Sequence, residues 1–66
     1  MERRKVNCEV SRECSDIIKT WATEHNIHCF RSECYNNIYV EMCLTESEIK
    51  EVDALIDEYY GKKEAV

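Results

Sequence analysis

A chain of 66 residues with 44% hydrophobic residues, no proline and one glycine is globular in composition, yet folding one this short hides only about 60% of its unfolded surface. Fourteen acidic residues against nine basic ones leave a net charge of −5, which argues against direct nucleic-acid binding, because phosphate contact needs a basic patch. The opening Met-Glu-Arg-Arg-Lys leads into no apolar run and nothing approaches a bilayer span, so neither an export signal nor membrane contact is expected, and five cysteines, an odd number, then fit free thiols in the cytoplasm.

Apolar periodicity sets the elements in chain order. Val6, Cys8 and Val10 alternate with Asn7 and Glu9, which predicts a half-buried strand over about 4–10. Cys14, Ile17, Ile18, Trp21, Ala22 and His25 recur at helical spacing over about 12–25 and fill an apolar arc of roughly 140°. Ser11 is placed to cap the start of that helix and Asn26 to supply the left-handed residue after it. Two strands follow, over about 28–34 and 38–44. Thr45-Glu46-Ser47-Glu48 is a capping box, in which the threonine hydroxyl accepts from the third helical amide and the glutamate accepts from the cap amide. Ile49, Val52, Leu55, Ile56, Tyr59 and Tyr60 then form one face of a second helix over about 46–60. Gly61 stands where a positive φ would end it, before a short tail, 61–66.

The order βαββα predicts a single α+β domain. It resembles a ferredoxin-like fold without its last strand: a three-stranded antiparallel or mixed sheet in order 1-3-2, with two helices on one face. The same element order is similar to that of small dimerising subunits, one of them in the KEOPS tRNA-modification complex. That likeness is of topology and transfers no site.

Hairpin register decides which side chains are buried. Ile38, Val40, Met42 and Leu44 form the inward row of the third strand. A two-residue turn at Asn36-Asn37 sets Cys29, Arg31 and Glu33 beside that row. A three-residue turn, Tyr35-Asn36-Asn37, sets His28, Phe30, Ser32 and Cys34 there instead. Burying the aromatic favours the second choice, which pairs Phe30 with Met42, Arg31 with Glu41, and Cys29 with Cys43 on the outer face.

None of the chemistry-bearing residues assembles a recognisable site. Cys8 and Cys14 fall on core faces and act there as small hydrophobes. Cys29 and Cys43, as cross-strand neighbours, form a possible thiol pair. Zinc ligands drawn from His25, His28, Cys29 and Cys34 lack a closely spaced CxxC pair, and alternation sends His28 and Cys29 to opposite faces. His25 sits in the apolar arc of the first helix with no nucleophile and orienting group beside it. No metal, no other cofactor and no catalytic residue is expected, and the chain reads as a non-enzyme.

Charge and topology carry the functional expectation. Residues 1–40 hold six acids and six bases, whereas residues 41–66 hold eight acids and three bases. Glu46, Asp53 and Asp57 cluster along one flank of the second helix, suited to a basic surface on another protein. After that helix too few residues remain to supply a fourth strand, so the first strand is expected to keep an unpaired edge at Arg3, Lys5, Asn7 and Glu9. Two copies pairing antiparallel about Asn7 would set Lys5 against Glu9 of the partner in one six-stranded sheet. The expectation is a small non-catalytic interaction module. It acts as a homodimer or as an accessory or inhibitory partner, of the kind phages and mobile elements direct at nucleic-acid-binding proteins. The alternative is a thiol-redox or metal-binding protein using Cys29, Cys34 and Cys43 with His25 or His28.

Overall fold

A computed structural model describes residues 2–64, with side chains as far as Gly61. Strand β1 spans Arg4–Val10, helix α1 Arg12–Glu24, strand β2 Cys29–Cys34, strand β3 Asn37–Leu44 and helix α2 Glu46–Glu64. The strands form one antiparallel sheet in order β1-β3-β2, the α+β topology that the sequence pattern predicts. Both helices cover the same face, because the core unites Ile38, Val40, Met42 and Leu44 of β3 with Cys14, Ile18, Trp21 and Ala22 of α1 and Val52 of α2. Burying an aliphatic side chain of this size stabilises by about 1.5–3 kcal/mol. Four in one strand therefore rival the whole net stability of a small domain, about 5–15 kcal/mol.

Local chemistry explains the helix ends. Ser11 is extended, and its hydroxyl accepts from the Cys14 amide at 3.3 Å. At the other end Asn26 has φ 60, the Asn26 amide donates to Thr23 O and the Ile27 amide to Ala22 O. That pair of bonds is a Schellman closure, in which asparagine tolerates the left-handed conformation. Within α1 the buried arc is turned from its expected setting: Ser15 is inside and Ile17 is 41% exposed. Burial costs Ser15 little, since its hydroxyl donates to Arg12 O at 2.7 Å.

Helix α2 opens on the expected box. The Glu48 amide donates to Thr45 Oγ1 at 3.3 Å, and the Thr45 amide donates to Glu48 Oε1 at 2.9 Å. Its far end differs from expectation, since Gly61 lacks a positive φ and the helix runs through it to Glu64. Tyr59 and Tyr60 account for this by tying the last turns to α1. The Ser11 amide donates to the Tyr60 hydroxyl at 3.2 Å, and the Tyr59 hydroxyl accepts from Ser11 Oγ and donates to Glu13 Oε2. Of the expected tail, residues 65–66 lie outside the described residues.

The hairpin register also corrects the expectation. Its turn has two residues, Tyr35-Asn36, closed by Cys34 opposite Asn37, so Phe30 faces Glu41 rather than Met42. Phe30 is consequently 61% exposed on the outer face. Cys29, Arg31 and Glu33 take the helix side, beside Met42, Val40 and Ile38. The charges are tolerated because β2 is a marginal strand lying under the polar flank of α1. Arg31 pairs with Asp16 at 2.7 Å and reaches Ser15 Oγ, while Glu33 pairs with Arg12. This register places Phe30 outside and engages Arg31 and Glu33 with α1.

Two stability effects follow. Tyr35 has φ 57 and is the only turn residue with a positive φ, the backbone sign of a type II′ turn, whose first position favours glycine. Tyr35→Gly is expected to raise stability by about 1 kcal/mol in urea denaturation; a lower midpoint would contradict this turn. Glu48 has its pKa lowered, first by the Thr45 amide and further by Arg3. A depressed folded-state value gives stability that is present above the unfolded value of 4.5 and lost as pH falls through the folded one. The advantage of wild type over Glu48→Gln should therefore shrink on acidification below about pH 4.5, and an equal gap at neutral and acid pH would refute the box as the cause.

Candidate interaction surface

Strand β1 borders the sheet, paired on one side only. Its register with β3 runs unbroken from Arg4↔Leu44 to Val10↔Ile38, so no bulge twists it away. Among the described residues no strand lies against its other side. Within an antiparallel ladder, alternate residues of a bordering strand turn their N–H and C=O groups outward. The inner row of β1 opens with the exposed Arg4, opposite Leu44, and is apolar beyond it but incompletely covered: Val10 is buried, whereas Val6 and Cys8 are half-buried.

The expected edge residues are arranged as follows. Lys5, Asn7 and Glu9 project from the outer face of the sheet and are exposed. Lys5 lies 3.3 Å from Glu41, and Glu9 accepts from Asn37 Nδ2 at 2.8 Å. Glu9 also raises the Tyr39 phenol pKa. Arg3 precedes the strand and turns away from its edge: its guanidinium pairs with Glu48 at 2.9 Å and donates to Cys43 O at 3.1 Å. Of the expected edge residues, Lys5, Asn7 and Glu9 thus lie on the bordering strand, while Arg3 is engaged elsewhere.

Helix α2 supplies the other half of this surface. At 100° per residue, Glu46, Asp53 and Asp57 fall within roughly 40° of one another, with Lys50 beside them. Glu51 occupies the opposite flank, where its carboxylate comes within 3.7 Å of His25 Nε2 on α1. The acidic flank consequently faces away from α1, with Asp53 on the side of Cys8 of β1. Electrostatics agree, since the Cys8 thiol on β1 is pushed up in pKa by burial and then by Asp53. Among the described residues none of the three acids has a basic partner within ion-pair distance.

Strand β2 forms the other border, yet its inner row is unlike that of β1. Arg31 and Glu33 point toward the helices and are held by Asp16 and Arg12. Inward charges of this kind discourage strand pairing.

The thiol and metal alternative loses its geometry. Cys29 faces Met42 on the helix side, whereas Cys43 projects from the outer face, so the expected cross-strand pair does not exist. All five cysteines are free thiols. His28 packs edge-on against Phe30 at 4.2 Å, and His25 stacks on Trp21 at 4.4 Å with Nδ1 2.8 Å from Trp21 O. No group of three His, Cys, Asp or Glu side chains among the described residues is arranged to hold a metal ion. Alternation along β3 places Tyr39 on the outer face, where it is found, but the reading missed the outward Phe30. The signal that finds it is the match of Arg31 and Glu33 to Asp16 and Arg12 on α1.

Burial raises the Cys8, Cys14 and Cys29 thiol pKa values, while Cys34 and Cys43 are exposed. Thiol labelling of the native chain should modify Cys34 and Cys43 first. Rapid labelling of Cys29, or a ready Cys29–Cys43 bridge on mild oxidation, would contradict the register. No family model, no curated protein and no solved structure matches this chain.

Proposed function

We propose that this chain is a non-catalytic protein-interaction module whose working surface is the open side of β1 together with the acidic flank of α2. An additional strand joins the sheet there, from a second copy or from another protein with a basic surface, so that the chain serves as an accessory or inhibitory subunit. The observation that carries this reading is a seven-residue bordering strand, unbulged, with no strand among the described residues on its other side and Val6 and Cys8 half-buried on its inner row. Strand addition supplies hydrogen bonds to that main chain and covers that row. Small size adds weight, because a domain this short gains proportionally more from buried partner surface than a large one.

The test is capture of partners from the native host with two variants that keep the wild-type circular dichroism. Val6→Lys puts a charge on the inner row of β1, and Ser32→Lys puts one on the outer face of β2. Val6→Lys should abolish partner retention and Ser32→Lys should leave it intact. Should Val6→Lys misfold, Asn7→Pro addresses the same strand through its main chain. Retention by the β1 variants, or loss only with Ser32→Lys, would defeat the reading.

A further inference from the structure

We propose that the strand received by β1 is a basic extended segment of another protein, carrying lysine or arginine at alternate positions, and not a second copy of this chain. The inference rests on the strand-addition reading above and names its occupant.

Charge complementarity selects that occupant. A strand laid against β1 turns every second side chain toward the helix layer, at intervals of about 6.6–6.8 Å. Asp53 lies near Cys8 of β1, and on the same flank of α2 Asp57 follows one helical turn or about 6 Å on, with Glu46 about 10 Å before Asp53. The two periods nearly coincide, so alternate basic residues meet successive carboxylates that have no basic partner among the described residues. Lysine and arginine also bring aliphatic stems, which lie along Val6 and Cys8 while their charged ends reach the acids.

A second copy fits the same surface badly. Antiparallel pairing of β1 with itself brings two α2 flanks together in opposite directions about the axis, setting the Glu46, Asp53 and Asp57 stripe of one copy against that of the other, with Lys50 and Arg4 to offset them. The compensating Lys5–Glu9 pairs are weakened in advance, because Lys5 already faces Glu41 and Glu9 already accepts from Asn37. Like charges in apposition oppose docking.

Fluorescence anisotropy with the full chain tests this directly. The probes are a labelled peptide of about eight residues alternating Lys and Val, its Glu/Val counterpart, and the Lys/Val peptide N-methylated on alternate amides so that one edge cannot donate. The Lys/Val peptide should bind, and its affinity should fall as ionic strength rises. The double variant Asp53→Lys/Asp57→Lys, checked for wild-type circular dichroism, should weaken binding about tenfold. N-methylation on the strand-facing edge should abolish binding at any salt.

The two levels of the claim fail separately. Binding that survives N-methylation of either edge is charge attraction without strand pairing and overturns the β1 reading itself. Binding sensitive to N-methylation but indifferent to salt and to the acidic variant keeps strand addition and overturns the basic occupant. Equal binding of the Glu/Val peptide does the same. Absence of peptide binding overturns the proposal, and a dimer in sedimentation would then assign the edge to a second copy.

Discussion

Strand β3 is the element on which the rest of this fold depends. It is paired on both sides, and its inner row of Ile38, Val40, Met42 and Leu44 is the surface onto which both helices pack. With three strands in the sheet among the described residues, that central position leaves β1 and β2 each with one margin where no described strand pairs. Everything distinctive about the surface follows from how those two margins are treated.

They are treated differently, and sequence explains why. β2 carries Arg31 and Glu33 on its inner row, locked to Asp16 and Arg12 of α1, so its margin closes with inward charge. β1 carries Val6, Cys8 and Val10 there, with Arg4 at the end of the row, and among the described residues the α2 carboxylates Glu46, Asp53 and Asp57 have no basic group within ion-pair distance. On the proposed reading, inward charge at one margin discourages an incoming strand, and the other offers main chain, apolar surface and nearby charge together. Hydrogen bonding supplies affinity for any strand in such an arrangement, and side chains on alternate positions supply the choice of partner.

Much of the architecture was legible before any coordinates. Alternation gave β1 and β3, the helical period gave both helices, and Ser11, Asn26 and the Thr45–Glu48 box marked termini through hydrogen bonds that a sequence can announce. Register was not legible in the same way. Burying Phe30 and pairing Arg31 with Asp16 make opposite demands on one strand, and the outcome rests on a helix flank that hydrophobic periodicity does not weigh. Gly61 failed as a stop signal for a related reason, since tyrosine hydroxyls bonded to Ser11 and Glu13 extend α2 beyond its local cue. The acidic stripe was visible as composition, but its direction away from α1 needed the His25–Glu51 contact to fix which way the helix faces.

The central claim is that the outer main chain of β1 is unsatisfied within this chain. Amide hydrogen exchange along Arg4–Val10, read residue by residue in the dilute isolated protein, tests it most directly. The account predicts alternation, with every second amide protected by β3 and those between exchanging like exposed groups. Uniform protection across the strand at every dilution would contradict it, because some other segment would then already occupy the margin.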